Sequence, residues 1–413
     1  MKIETVSYLG KSVAKDLEKT VLGMIARFLH WAEKEKFASY DWWDIWGTSY
    51  GGWAKTMYLK NKYLGVFFIA PLVFLDFIYP SFRKFFVKKR TFPICNAHIA
   101  MGYLNLYEVT EENQYLEKAE SLVDDLLLMA SPHATGLAWG MKHQWMTVQG
   151  LIPADTPCNT QTAYPYTLFT QLYAATHNEK YLEYLHQILK HVANDFPEWW
   201  EGDKLVCSYS TADKRRVVNA NSYRMYMLVD GGKRFNNQIY LDKGLATLRY
   251  VLSMQDIDGS WPYSEDQNFV DCYHTVFVIK NLSKVREILG YDYEGLDSAV
   301  KKGLSYYFEK LYDAEGFPKP FAIQPRITLF KYDSYDFAES IGLLTEIKTD
   351  TSLLQQLLQF VKNNFQTKAG WFLFRIYHLL PIKGIPYMRY TNSNMFLSLT
   401  KALKYYSQND NKN

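Results

Sequence analysis

Asn113-Gln-Tyr-Leu-Glu-Lys-Ala119 recurs as Asn178-Glu-Lys-Tyr-Leu-Glu-Tyr184 and again as Ile239-Tyr-Leu-Asp-Lys-Gly244. Weaker echoes start near Leu296 and Leu353. Each copy opens a stretch whose apolar residues follow helical spacing, and another helical stretch precedes each one. The pairs expected are Asn96–Tyr107 with Tyr115–Met129, Gln161–Thr176 with Tyr181–Asp195, and Asn219–Val229 with Tyr240–Met254. Asp271–Leu289 with Leu296–Leu311 and Tyr335–Ile347 with Ser352–Phe365 complete the series. A first helix covers Lys11 to Phe37 and a last one Asn394 to Tyr406. The offset of about 56–67 residues exceeds the roughly 34 residues of a compact two-helix repeat. It fits a helix, a long loop and a return helix. The expected fold is therefore all-α: an (α/α)6 toroid in a single domain over residues 1–413. Inner helices line a cleft, loops between hairpin partners decorate its mouth, and short β-pairs are confined to loops such as Lys204 to Ser210.

Composition narrows the partners. A 48% hydrophobic, 22% charged chain can bury a large core. A net charge of +3 gives no basic face for nucleic acid. Cys95, Cys158, Cys207 and Cys272 form no C-x-x-C pair and read as scattered buried thiols, with no zinc spacing. Met1 to Leu9 carries no apolar run, so no signal peptide is read and a cytoplasmic location is expected. Aromatic residues make up 17% of the chain. Most belong to a helical core, but Trp and Tyr in polar loops are flat platforms for sugar rings.

Leu64 to Tyr79 is strongly apolar, is interrupted by Pro71 and Asp76, and is short for a membrane span. Arg83, Lys84, Lys88, Lys89 and Arg90 follow it. The whole stretch, about 63–92, reads as an insertion. It reads as a buried helix with a solvated basic end or, over residues 64–90, as a contact for the inner face of a membrane, with a transmembrane helix as the remaining reading.

Five loop segments carry the candidate chemistry. Tyr40-Asp-Trp-Trp-Asp-Ile-Trp-Gly47 offers Asp41 and Asp44 among three indoles, with Asp41 also read as a helix cap. Gly136-Leu-Ala-Trp-Gly-Met-Lys-His-Gln-Trp145, running on to Asn159, sets Trp139 and Trp145 in a glycine-rich backbone suited to a flat ligand. Cys207-Ser-Tyr-Ser210 leads to Asn219, which is also read as a helix N-cap. Gln255-Asp-Ile-Asp-Gly-Ser-Trp-Pro-Tyr-Ser-Glu265 supplies Asp258, Trp261, Tyr263 and Glu265. Asp271 and His274 follow at i and i+3, where an acid at a helix start can orient an imidazole. Pro386-Tyr-Met-Arg389 supplies Tyr387 and Arg389.

In order, Trp139-Gly-x-x-x-x-Trp145, Thr156-Pro, Val218-Asn219-Ala, Asp258-Gly-Ser-Trp-x-Tyr263, Val270-Asp-x-x-His-Thr275, Tyr335-Asp336 with Glu339, and Tyr387-Met-Arg389 resemble a bacterial protein family found with cell-surface polysaccharide biosynthesis. The resemblance covers roughly residues 40–405. It implies a six-hairpin toroid of the glycosidase and lyase kind, acting on an oligo- or polysaccharide. The chain departs from that pattern at Asp271-Cys-Tyr-His-Thr-Val and at Arg389-Tyr-Thr-Asn-Ser-Asn-Met, which bears on substrate more than on fold.

Fold does not select the reaction. A glycoside hydrolase needs two carboxylates, and Asp41 or Asp44, Asp258, Glu265, Asp271, Asp336 and Glu339 are candidates. A polysaccharide lyase or uronyl C5-epimerase needs a cation and a base, which Arg389, Asn219, His274 and one of Tyr209, Tyr263 or Tyr273 could supply. A glycan-binding component without catalysis is the third reading. The Gln255 to Trp261 segment is also similar to the Gln-Trp repeats of terpenoid-cyclase toroids, but no Asp-rich acid motif accompanies it. Hydrolysis ranks first because acids outnumber other candidate groups. No P-loop, GxGxxG, nucleophile elbow or HExxH is present. The pattern requires no cofactor or metal, although Asp256 and Asp258 could hold Ca²⁺.

Overall fold

The computed structural model describes residues 3–147, 149–325, 328–348, 351–378 and 384–410. A long helix α1 (Ile3–Lys34) is followed by a short α2 (Asp44–Gly47) and a helical pair, α3 (Ser49–Lys60) and α4 (Lys62–Ile78). Five hairpins come next: α5 (Pro93–Thr110) with α6 (Asn113–Leu128), α7 (Asn159–Thr176) with α8 (Lys180–Asn194), α9 (Val218–Arg234) with α10 (Gln238–Ser253), α11 (Cys272–Leu289) with α12 (Leu296–Lys310), and α13 (Ser334–Ile347) with α14 (Thr351–Phe360). The last helix, α15 (Ser393–Asp410), packs on α1 to make the sixth pair. The inner circle runs α5, α7, α9, α11, α13, α15 and back to α5. This is the expected (α/α)6 toroid, and the first helix begins earlier and ends sooner than the expected Lys11 to Phe37.

Burial separates the two circles. In α9 every residue from Val218 to Gly232 is buried. In α8 the buried residues are Tyr181, Leu185, Ile188, Leu189, His191, Val192 and Ala193, mainly one stripe of an amphipathic helix. The repeated tyrosine explains itself at this junction. Tyr115 of α6 stacks on Tyr103 of α5 at 6.2 Å, and Tyr181 of α8 stacks on Phe169 of α7 at 6.1 Å. The motif docks an outer helix on its inner partner.

Hairpin partners are joined by tight turns, contrary to the expectation of long loops there. Helices α5, α7 and α13 end on left-handed residues, Glu111 (φ 58), His177 (φ 52) and Lys348 (φ 52). The long segments instead run from each outer helix to the next inner one, and all of them reach the same end of the ring. Strands there are short and antiparallel: β1 (Trp145–Thr147) with β2 (Gly150–Ile152), β3 (Glu198–Glu201) with β4 (Lys204–Cys207), β5 (Val270–Asp271) with β6 (Phe321–Ile323), and β7 (Phe330–Asp333) with β8 (Arg375–Tyr377). The last two pairs join neighbouring loops. Single bridges Cys158↔Ser210 and Val217↔Ser264 do the same, so the loops form a stitched collar.

The apolar segment is not a buried core helix. In α4 and the turn after it, Phe67 is 73% exposed, Phe85 76% and Phe86 72%, with Leu64, Val73, Phe74 and Ile78 also exposed. No helix among the described residues is long and apolar enough to cross a membrane. The four cysteines are buried and free.

Candidate functional site

The inner helices all present their first turns to the collar, and those turns concentrate polar residues. Asn96 of α5, Asn159 of α7, Asn219 of α9 and Asp336 of α13 are buried there. Several of their polar atoms lack a partner within the protein, among them both amide atoms of Asn96, Oδ1 of Asn159 and Oδ1 of Asn219, and the Asp336 carboxyl meets nothing better than the weak Cys272 thiol. Buried polar atoms are rarely left so, because desolvation without a hydrogen bond is costly. Four such residues at one end of one ring are what a hydroxyl-rich ligand satisfies. Asn219 is not the N-cap expected from sequence. Val217 holds that position, and Asn219 lies in the first turn.

At the start of α11, Asp271 is the N-cap. Its carboxylate accepts the His274 main-chain N–H at 3.2 Å and the ring Nδ1–H at 2.7 Å. A carboxylate only accepts, so Nδ1 carries a proton, and in the neutral ring it is Nε2 that keeps a lone pair. The ring lies 4.3 Å from Tyr273 and 4.9 Å from Tyr263. Tyr263 stacks on Phe269 at 4.7 Å. Asn219, Trp261, Tyr263, Asp271 and His274 enclose a small cavity of about 10 Å³. Trp145 lies beside Tyr209 at 5.7 Å, under the guanidinium of Arg215, and Tyr209 meets Thr160 at 3.0 Å.

A second cavity of about 110 Å³ is lined by Asp333, Tyr335, Asp336, Tyr273, Arg375 and Tyr390, among others. Burial, with the charges of Asp333 and Asp271 close by, pushes the Asp336 carboxyl well above its ordinary range. Burial also raises Asp333, but Arg375 opposes this through an ion pair of 2.8 Å. Asp333 caps α13 by accepting the Tyr335 N–H at 3.0 Å.

Beneath these groups the inner helices bring aromatic rings together, edge to face or tilted. His98 meets Tyr164 at 4.4 Å, Tyr223 meets Phe277 at 5.5 Å, and Phe277 meets Tyr335 at 6.1 Å. The Tyr164 and Tyr223 hydroxyls bond at 2.8 Å. A larger cavity of about 350 Å³ extends from this layer toward the C-terminal ends of the inner helices. Glu339 lies there, held by Lys280 at 3.1 Å and by Asn394 at 2.9 Å. It lies one helical turn beyond Asp336 and lines this cavity, not the one that holds Asp336.

Several expected site residues serve the scaffold. Asp41 does not cap a helix. It is buried against Arg389, whose Nη2 donates at 2.8 Å. Against the penalty of burial, Arg389 holds the Asp41 carboxyl below its ordinary range. Arg389 is thus not a free cation for a substrate carboxylate. Asp44 is ion-paired with Arg90. Trp139 is wholly buried, with Nε1–H bonded to the Leu126 carbonyl at 2.8 Å. Its neighbour Gly140 serves a close approach to its own chain: a Cβ there would lie 2.1 Å from the Thr156 carbonyl oxygen. Trp261 wedges against Gly303 and bonds the Val251 carbonyl at 3.0 Å, with one edge on the small cavity. Tyr387 is buried against Trp42 at 6.0 Å.

Two proposed catalytic acids are elsewhere. Asp258 is exposed on the outer-helix side, where it accepts from Ser260 Oγ at 2.7 Å in a local turn. Glu265 is exposed on the rim and paired with Arg216 at 3.2 Å. Neither joins Asp271 and Asp336. Among the described residues no group of three or more His, Cys, Asp or Glu is placed to hold a metal ion.

Sequence reasoning missed Asn96, His143, Asp333 and Arg375. His143 is buried with both ring nitrogens unpartnered, and burial pushes it down to about 4 against the pull of Asp41. Only Asp333 left a signal, as an acid two residues before a helical tyrosine.

No known protein family matches the sequence, and no curated protein does. Solved structures do match in shape. A cellobiose 2-epimerase from Bacillus thermoamylovorans superposes with TM-score 0.56 at 12% identity, covering 75% of this chain and 87% of that one. A GH76 α-mannanase from Bacteroides thetaiotaomicron gives 0.57 at 13%, covering 78% and 88%. A glycosyl hydrolase family 88 protein from Bacteroides vulgatus gives 0.53 at 11%, covering 81% and 97%. At these identities the likeness is one of fold, and the chain is an (α/α)6 toroid similar to all three.

Proposed function

We propose that this toroid is a carbohydrate-active enzyme that hydrolyses a glycosidic bond in a polysaccharide or its precursor. The observation that carries the reading is Asp336, a carboxyl on the wall of a cavity, raised well above its ordinary range by burial and by the nearby Asp333 and Asp271. A raised carboxyl is suited to donate a proton as a general acid. Asp336 gives its proton to the glycosidic oxygen as the bond to the anomeric carbon breaks. His274 Nε2 takes a proton from the attacking water. Asp271, with both oxygens committed to His274, is a positioning residue. Asn159 and Asn219 hold sugar hydroxyls with their unpartnered oxygens. The likeness in fold to sugar-acting proteins supports the reading.

The Asp271–His274 dyad favours a second reading, proton abstraction next to a carbonyl or carboxylate, as in a lyase or epimerase. Incubation with a panel of bacterial capsular and exopolysaccharides separates the two. New reducing ends mark hydrolysis. Ultraviolet absorbance of an unsaturated uronate marks elimination. Solvent deuterium in the sugar without cleavage marks epimerisation. Binding with no product from any glycan sinks the enzymatic reading and leaves glycan binding alone.

The same reading extends to where the protein works: the α3–α4 pair rests on an anionic membrane surface. Its apolar face is too large and contiguous for scattered surface residues. Asp76 is the sole acid between Ile45 and Arg90, and Arg83 neutralises it at 2.6 Å. Lys60, Lys62, Lys84 and Lys88 are exposed around the face. Apolar area flanked by cations is the combination that anionic lipid attracts. The protein should sediment with phosphatidylglycerol vesicles at low salt, less so at high salt, and little with phosphatidylcholine. Absence of low-salt binding, or a stable dimer that hides the face, overturns this.

A further inference from the structure

The carboxyl cavity does not end at the collar. It shares Trp42, Thr328, Phe330 and Arg375 with a neighbouring cavity of about 170 Å³, whose other walls include Val73 and Phe77 of α4 and Leu329. That cavity in turn shares Ile45 and Arg83 with an apolar groove of about 630 Å³ between α2–α3 and α4, walled by Leu72, Leu75, Phe82 and Phe86. The three cavities therefore lie in a row, wall to wall, from Asp336 and Tyr273 to the exposed apolar pair, and the character of their lining changes along it. At the inner end the lining includes two aspartates and three tyrosines. At the outer end it is mainly aliphatic and aromatic carbon. The joint between them is rigid. Arg83 forks onto Asp76 and donates to the Asp41 and Trp42 carbonyls at 2.8 and 2.9 Å. Arg375 stacks 5.0 Å from the Trp42 ring. Phe77 is braced edge-on against Tyr377 at 5.1 Å.

We infer that the substrate is a saccharide joined to a long hydrocarbon chain, with its glycan among the carboxyls and its tail along α4. The inference rests on the glycan reading of the cleft and names the substrate class for it. A free polysaccharide has no use for an apolar path that starts at the acid and ends on a basic, apolar face. A lipid-carried glycan uses every part: the lysines and phenylalanines meet the membrane, the groove takes the tail as it leaves the bilayer, and Trp42 lies where sugar gives way to hydrocarbon.

The probe is dodecyl maltoside below its micellar threshold, compared with maltose and with dodecyl phosphocholine. Trp42 and Trp46 line the path and report occupancy by their fluorescence. The expected result is saturable binding of dodecyl maltoside at least tenfold tighter than maltose. Val73→Asp and Phe77→Asp should weaken it about tenfold or more. Phe67→Ser and Phe85→Ser, on the exposed face, should leave monomer binding unchanged while reducing vesicle binding. Folding of each variant is checked by its thermal transition. Equal affinity for maltose and dodecyl maltoside overturns the tail path and leaves the glycan reading intact. Equal affinity for dodecyl phosphocholine shows a detergent groove without sugar selectivity and removes both. Weakening by Phe67→Ser but not Phe77→Asp means that the chain sits on the outer face, and it too overturns the path.

Discussion

Asp271 holds His274 twice, by the main-chain N–H at 3.2 Å and by the ring Nδ1–H at 2.7 Å. Backbone and side chain are thereby fixed by one carboxylate, with the ring packed beside Tyr263 and Tyr273. His274→Ala removes the proposed base and should lower kcat by about 10²–10⁴-fold. Asp271→Asn should lower kcat while KM stays within about twofold of wild type, because an amide no longer enforces the tautomer. Glycan affinity by calorimetry should be unaltered in both. Full turnover in His274→Ala would remove the base from the scheme.

Asp336 predicts a pH-dependent gain in stability. Its carboxyl is raised in the folded state, so the native protein holds a proton that the unfolded chain releases above the ordinary carboxylate range. Stability tied to that proton is present at acid pH and is lost as pH rises. Asp336→Asn removes the penalty. Urea melts should show the variant gaining on wild type from pH 4 upward, by at most about 1.4 kcal/mol per pH unit. A constant difference at all pH values would show that Asp336 is ionised when folded. Activity should be lost in the same variant.

His98 and His143 act in the opposite direction. Burial, helped by Lys401 and Lys280, pushes His98 down to about 3, and burial takes His143 to about 4. Both are neutral when folded, and both take up protons when unfolded below about 6.5. Stability should therefore be full above that pH and fall as pH drops from 6.5 toward 4. His98→Gln can keep a bond to Ser393 Oγ, now at 3.1 Å from the ring. It should flatten that acid slope, measured by urea melts between pH 7 and 4.5.

The Arg389–Asp41 pair ties the last collar segment to the first. Arg389→Ala leaves a buried carboxylate alone and should cost about 3–5 kcal/mol. The double variant Asp41→Asn with Arg389→Met should recover part of that loss. If the single variant costs less than about 1 kcal/mol in chemical denaturation, the pair is solvated.

Gly102 of α5 faces Phe396 of α15 so closely that a Cβ would lie 2.3 Å from the ring. Gly102→Ala should cost about 1–3 kcal/mol through overpacking, and Gly102→Ala with Phe396→Leu should return some of it. Thermal melts of both variants give the comparison.

The ring was legible in the sequence because its repeat has one physical task. Tyr115 and Tyr181 sit at the same place on successive outer helices and stack on the same side of the inner ones. The site was legible only where one segment holds its parts together, as with Asp271 and His274. Asp333, Arg375 and Trp42 come from three separate loops, and pairing of β7 with β8 brings Asp333 beside Arg375. No spacing rule connects them. The Asp258-Gly-Ser-Trp segment misled for a different reason. Its glycine and tryptophan look fitted to a ligand, but the tryptophan packs on Gly303 of its own ring. Trp139 misled in the same way, since an indole between glycines reads alike whether it meets a sugar or a neighbouring helix.

The pairing of α1 with α15 sets the order in which the molecule can be finished. Gln366 binds the Met24 carbonyl at 2.8 Å, and Phe28 stacks on Phe396 at 5.1 Å, across almost the whole chain. Five hairpins can form from neighbouring residues, each at modest entropic cost, but the sixth waits for a contact of the longest range the chain offers. Refolding should therefore run in two kinetic phases, a fast gain of helix and a slower sealing step. Until that step ends, the seam beside α5 is an open edge that a second chain could fill with its own last helix.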